Sequence, residues 1–136
     1  MSAHLKEKLE KIEQILTHLA EESSKGMPIV VEGKKDAEAL QELGVGGSIV
    51  TVKTGGKSFI GATMEIEELG VCEVILLLDF DRRGREGTKR LQMSLERGKV
   101  KVNLKFWREL HGLVGKEVSC IESLPSYLAT TKQKVP

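Results

Sequence analysis

Cysteine is scarce in this chain, and the two cysteines are far apart in the sequence. Cys72 and Cys120 lack the paired spacing of a zinc site. A reduced, cytoplasmic protein is therefore expected, and Cys72, at the start of an apolar run, is predicted to lie in the core. No apolar run approaches the roughly 20 residues of a membrane helix, so no membrane partner is expected.

Aromatic residues and excess charge are scarce as well. Aromatic residues make up 4% of the chain, which allows only a small surface for stacking on bases. The formal net charge of +1 argues against strong general attraction to nucleic acid but permits a local basic patch. With 136 residues, 40% of them hydrophobic and 30% charged, the composition is that of a single globular domain.

Short β-branched runs alternate with helical patterns along the chain. The predicted strands lie in PIVVEG, GSIVTV, CEVILLLDFD and VKVNL, and helical segments follow the first three. This alternation predicts an α/β fold, with a central parallel sheet of about four strands and helices on both faces. Residues 1–26 are predicted to form an amphipathic N-terminal helix, and residues 106–136 a helical extension and tail. The N-terminal helix is open to two interpretations, packing in the core or forming a homo-oligomer.

Two of the predicted strands end in acidic residues. Glu32 ends the first strand, and Asp79 and Asp81 end the third. The carboxyl ends of parallel strands meet at one edge of a sheet, so the three carboxylates should gather there if the two strands are neighbours. Strand alternation would point Asp79 and Asp81 to the same side. A raised pKa or a bound cation relieves the repulsion, and oxygen ligands favour Mg²⁺ or Mn²⁺ over zinc.

A structural interpretation of these acids is also open. Aspartate is a common helix N-cap, so Asp81 before RRGRE could cap the next helix. Glu32 before Gly33 is compatible with an exposed turn. The joint pattern favours a metal site, because both acids end buried strands of one predicted sheet.

The segments VVEGKKD and LLLDFDRRGRE together resemble the Toprim domain, which occurs in topoisomerases, bacterial primases, nucleases, recombination mediators and the 5S ribosomal RNA maturase. The family pattern is a glutamate after the first strand and D-x-D after the third, with a glycine soon after. Here these positions are Glu32, Asp79, Asp81 and Gly84. The resemblance covers residues 27–105 and implies a four-stranded α/β domain there.

The resemblance also implies roles for the acids. Asp79 and Asp81 are expected to hold Mg²⁺, with Mn²⁺ as a substitute, and Glu32 to be a further ligand or the general acid–base. The segment VGKEVSCIESLPSYLA is similar to small stand-alone Toprim proteins related to the RNA maturase, which favours RNA over DNA as partner. The implied function is a Mg²⁺-dependent nuclease or RNA-processing hydrolase. The alternative is a non-catalytic Mg²⁺-binding module that docks nucleic acid or a protein.

Basic residues and glycines near these motifs are candidate phosphate ligands. Guanidinium groups match phosphate geometry, and glycine-rich loops can hold anions through backbone N–H groups. The candidates are Lys34, Lys35, Gly55, Gly56, Lys57, Arg82, Arg83 and Arg85. Their structural alternatives are a solvated helix start, surface charge and a flexible turn. A Walker P-loop is not expected in KTGGKS, because Thr51 stands where that motif has its first glycine.

The chain departs from the type IA topoisomerases of this family in two respects. Arg83 and Arg85 stand where those enzymes have acids after D-x-D, which favours holding a phosphate over binding an additional metal. The one tyrosine, Tyr127, lies near the end of the chain. Topoisomerase activity by this chain alone is therefore not expected.

Overall fold

A parallel sheet between two layers of helices organises the molecule. The computed structural model describes residues 2–52 and 59–135. Within them the strands are β1 (Ile29–Val31), β2 (Ile49–Thr51), β3 (Glu73–Leu76) and β4 (Lys101–Asn103). All strand pairs are parallel and the order is β2-β1-β3-β4, so β1 and β3 are neighbours at the centre. The predicted fold class is confirmed.

The helices follow the predicted alternation. They are α1 (Ser2–Ser24), α2 (Lys34–Glu42), α3 (Phe59–Glu68), α4 (Arg82–Arg97), α5 (Lys105–Val114) and α6 (Leu124–Lys132), with a 3₁₀ turn at Ile121–Ser123. The fourth helix begins at Arg82, earlier than the pattern REGTKRLQMSLERG indicated, because Asp81 caps it. Among the described helices, none is long and apolar enough to cross a membrane.

Side-chain alternation along β1 and β3 divides the interior into two cores. Ile29 and Ile75 face the cluster that contains apolar residues of α1, α2, α5 and α6. Val30 and Leu76 face the second cluster, which is formed with α3 and α4. Because both faces of the sheet are covered, the central strands are apolar at every position except Glu73 at the start of β3, as the sequence run VILLL indicated.

The N-terminal helix belongs to the first of these cores. It packs against α5 and α6, and the side chains that it buries are Leu9, Ile12, Ile15, Leu16 and Leu19. The core interpretation of this helix therefore agrees with the structure. The prediction for Cys72 was wrong, because this residue is exposed just before β3, where the chain enters the sheet.

We expect Ile12→Ala to lower the free energy of unfolding by about 2–5 kcal/mol, because the substitution leaves a cavity at a fully buried position. Thermal unfolding would then shift downward by on the order of 10 °C. The control Gln14→Ala changes an exposed position of the same helix and should shift the stability by no more than about 0.5 kcal/mol. Equal Tm values for the two variants would contradict the core role of α1.

Candidate metal centre

Glu32 and Asp79 lie side by side at the carboxyl edge of the sheet. In the parallel pairing of β1 with β3, Val30 stands opposite Leu76, and the Leu77 N–H donates to the Val30 carbonyl at 2.8 Å. The segments that follow β1 and β3 therefore leave the sheet at the same edge. Glu32 directly follows β1 and is only 7% exposed, whereas Asp79 is partly buried. The expectation that the two acid-bearing strands are neighbours is confirmed.

The carboxyl groups of Glu32 and Asp79 are close enough to share a proton. Burial, followed by the hydrogen bond with Glu32 and the charge of Glu32, raises the pKa of Asp79 to about 8. The charges of Asp36 and Asp81 raise this pKa further. The Asp79 Oδ1 atom is buried and has no hydrogen-bond partner among the described residues. A buried polar atom without a partner is uncommon, so the pair favours a proton or a cation.

Asp36 is a fourth carboxylate near this pair, and the sequence analysis did not single it out. It is buried, and burial is the main cause that raises its pKa. Its Oδ2 accepts from the Gly33 N–H at 3.0 Å, which completes the N-terminal cap of α2. Its Oδ1 accepts from the Glu122 N–H at 2.8 Å. Asp36 therefore has a structural role. The sequence signal for this role in VVEGKKD is Gly33 at the cap with Asp36 three residues later.

Asp81 caps α4, as the structural interpretation of this residue predicts. It is exposed, and its Oδ1 accepts from the Gly84 N–H at 2.8 Å at the start of α4. The regular strand ends at Leu76, and Phe80 packs in the same core as Ile75, so the pleat does not continue through D-x-D. In residues 2–52 and 59–135, no three acidic, histidine or cysteine side chains are arranged to hold a metal.

Elements on both sides fix the backbone of the D-x-D segment. A Cβ at Gly84 would overlap the carbonyl oxygen of Asp79, so only glycine lets the first turn of α4 approach this closely. On the other side, the Trp107 Nε1–H donates to the Leu78 carbonyl at 2.9 Å, and the Phe80 N–H donates to the Ser119 carbonyl at 2.8 Å. The C-terminal extension thus holds both neighbours of Asp79.

The candidate phosphate ligands that belong to the described residues lie around this edge. Lys34 and Lys35 are exposed in the first turn of α2. Arg82, Arg83 and Arg85 are exposed at the start of α4, and the Arg82 Nε lies 3.1 Å from the Glu86 Oε1. Gly55, Gly56 and Lys57 lie outside the described residues.

The donor atoms at the edge fit a magnesium ion. In proteins Mg²⁺ is commonly bound by one or two carboxylates and keeps several of its waters. Glu32 and Asp79 supply such a pair, and the partnerless Oδ1 of Asp79 is an oxygen that a cation would satisfy. The exposed Asp81 carboxylate is near enough to influence the pKa of Asp79.

Comparison with known proteins identifies the family. A family model described as the Toprim domain matches residues 28–105, more than half of the chain. The chain belongs to the Toprim domain family. Toprim domains typically bind Mg²⁺, and membership links the chain to metal binding and to nucleic acid.

Several archaeal proteins are similar to this Toprim protein over nearly its whole length. A UPF0292 protein of Methanosarcina acetivorans is 34% identical and is matched over 95% of this chain and 88% of its own. A UPF0292 protein of Methanocaldococcus jannaschii is 37% identical over 90% of this chain and 93% of its own. A solved structure, a putative protein from Aquifex aeolicus, superimposes with a TM-score of 0.65 at 24% identity. That match covers 81% of this chain and 94% of the other, and it supports the fold.

The raised pKa of Asp79 predicts that stability depends on pH. Between the ordinary pKa of 3.8 and the raised pKa of about 8, Asp79 is protonated in the folded protein and ionised in the unfolded chain. The free energy of unfolding therefore falls as the pH rises through this range. Asp79→Asn keeps the neutral form at every pH. In EDTA, we expect the wild-type Tm to fall between pH 5 and pH 8.5 and the variant's Tm to change less.

The matched control for this titration is Glu42→Gln, the same chemical change at an exposed position at the far end of α2. It should follow the wild-type pH profile. Parallel profiles for wild type and Asp79→Asn would show that Asp79 ionises normally.

Gly84 provides a second prediction. Gly84→Ala should destabilise the protein by about 1–3 kcal/mol, because the added methyl group overlaps the backbone of Asp79. Gly112→Ala is the control, since a Cβ there meets nothing within 4 Å in the last turn of α5. This control should be stabilised by up to about 1 kcal/mol. Denaturant unfolding of both variants measures the difference, and equal stabilities would disprove the close approach.

Proposed function

We propose that this Toprim protein is a Mg²⁺-dependent phosphodiesterase that hydrolyses the backbone of nucleic acid, with RNA favoured over DNA. The observation that carries the proposal is the pair formed by Glu32 and Asp79, in which one buried carboxylate oxygen has no partner among the described residues. Two carboxyl groups held together at the end of neighbouring strands are unfavourable unless a proton or cation lies between them. Their place at the edge of the family's domain supports a catalytic use.

The three acids share two parts in the proposal, which are to hold the metal and to transfer a proton. Glu32 and Asp79 hold the metal, with Asp81 as the adjacent ligand. When bound, Mg²⁺ offsets the charge of the phosphodiester and lowers the pKa of a water molecule. Glu32 is buried beside Asp79, and the hydrogen bond between them supports a role for Glu32 in holding a proton. Glu32 therefore acts as the general acid–base.

In this proposal, the cationic side chains around the acidic edge bind the phosphate groups of the substrate. Arg82, Arg83 and Arg85 begin α4, so they follow directly on Asp81 and are exposed to a ligand at the same edge. Lys34 and Lys35 begin α2 and are separated from Glu32 by Gly33 alone. Guanidinium groups can bind a phosphate through two parallel hydrogen bonds, which would orient the bond to be cut.

A second candidate function is a Mg²⁺-binding module that docks nucleic acid or a protein without cutting. One observation favours it: the Asp81 carboxylate caps α4, and within the described part of the chain no three ligand side chains converge. A site with two carboxylates could bind the ion and still lack the full set needed for hydrolysis.

Cleavage of labelled structured RNA, and of DNA with the same sequence, separates the two candidates. We expect wild type to cut RNA in Mg²⁺ or Mn²⁺ and not in EDTA. Glu32→Gln and Asp79→Asn should each lower the rate at least about 100-fold, because each removes an ionisable group from the chemical step. Glu42→Gln is the matched control and should cut at the wild-type rate.

Two results would contradict the phosphodiesterase. Cleavage that persists in both acidic-site variants would assign it to a contaminant or another site. The absence of cleavage, with Mg²⁺ raising the Tm of wild type but not of Asp79→Asn, would support the binding module instead.

A further inference from the structure

A basic groove runs beside the candidate metal centre, between α4 and α5. Its volume is about 480 Å³. The side chains that define it are Arg82, Arg85, Lys89, Leu104, Trp107 and Arg108. The sequence pattern indicates Arg82 and Arg85 as phosphate ligands but not Lys89 or Arg108. The second wall, α5, lies beyond the part that matches the Toprim domain, except for its first residue, Lys105.

The groove is much more positive than the protein as a whole. Four of its lining side chains are cationic and only Glu86 is acidic, whereas the whole chain has a formal net charge of +1. Glu86 is already paired with Arg82. Among the described residues, Arg85, Lys89 and Arg108 form no ion pair. Three cations that share a groove without a counter-charge repel one another and favour an anionic ligand.

The spacing of these cations fits a chain of phosphates better than a single anion. Arg82, Arg85 and Lys89 stand at positions i, i+3 and i+7 of α4, so they share one helix face. At a rise of about 1.5 Å per residue the row is about 10 Å long. A row of this length can contact more than one phosphate of a single strand, whereas a single small anion would use only part of it.

Two residues that line the groove connect it to the acidic edge. Arg82 directly follows Asp81 in the chain. Trp107, in the wall of the groove, donates its Nε1–H to the carbonyl of Leu78, the residue before Asp79. A strand whose phosphodiester lies at Glu32 and Asp79 therefore has a path for its neighbouring phosphates along α4.

We propose that this groove binds the phosphate backbone of a single nucleic-acid strand next to the bond at the acidic pair, with Lys89 and Arg108 as the distal phosphate ligands. The proposal rests on the function proposed above, since it names where the substrate strand lies. Leu104 and Trp107 give the groove an apolar wall, which sugar and base edges can contact.

Fluorescence anisotropy with a labelled single-stranded 20-nucleotide RNA, measured in EDTA, tests the groove without metal or cleavage. Lys89→Gln/Arg108→Gln should weaken binding roughly tenfold or more, because two charge-assisted phosphate contacts are lost. The slope of log K against log salt should fall by about 1.4, or about 0.7 for each contact. The charge-preserving variant Lys89→Arg/Arg108→Lys should keep most of the affinity.

The control Lys25→Gln/Arg97→Gln makes the same change in net charge at the opposite edge of the sheet, ahead of β1 and β4. All four positions are exposed, so thermal unfolding should show intact folds. Equal weakening in the groove variant and this control would overturn the proposal, since binding would then depend on net charge alone.

The same variants separate this proposal from the phosphodiesterase. If wild type cleaves RNA and the groove variant binds it as tightly as wild type, the groove proposal fails and the proposed function stands. If binding is lost only in the groove variant and no protein cleaves, the groove proposal stands and the phosphodiesterase fails.

Discussion

The contact between the carboxyl groups of Glu32 and Asp79 is the constraint on which the rest of the site depends. Two neighbouring parallel strands place them at one edge, and burial raises the pKa of Asp79 to about 8. Such a pair opposes folding unless it is protonated or bound to a cation. The surrounding structure must therefore hold the two residues in place, and several of its polar contacts do so.

Two parts of the chain supply that support. Within the Toprim domain, Gly84 lets α4 pack directly on the backbone of Asp79, and Asp36 fixes the start of α2 after Glu32. Beyond the domain, Trp107 and Ser119 bind the residues on either side of Asp79 through backbone groups. The charge repulsion at the edge is thus opposed by packing on one side and by hydrogen bonds on the other.

The sequence was sufficient for the fold and for the acidic pair. Buried strands of a parallel sheet are continuously apolar, so VILLL and IVV indicate strands. The acids that follow them were expected to meet at the carboxyl edge if the two strands are neighbours, and the pairing of β1 with β3 meets that condition. The local path after β3 was not predictable in the same way. Whether Asp81 turns to the metal or caps α4 depends on where the strand stops, and strand ends have no strong local signal.

Long-range contacts were also beyond the sequence. Asp36 meets Glu122, and Trp107 meets Leu78, across separations that no periodicity encodes. The groove cations on α4 shared a visible helical spacing, but Arg108 joins them only because α5 packs nearby. Tertiary packing decided these features, so they appear only when the folded chain is known.

The hydrogen bond from Phe80 to Ser119 has a consequence for motion. The amide between the two aspartates is protected by a segment that lies after α5, so its exposure to solvent requires that segment to detach. The acidic edge and the C-terminal extension then open as one cooperative unit rather than separately. Unfolding of the last quarter of the chain would therefore break the hydrogen bond of Phe80, the middle residue of the D-x-D motif.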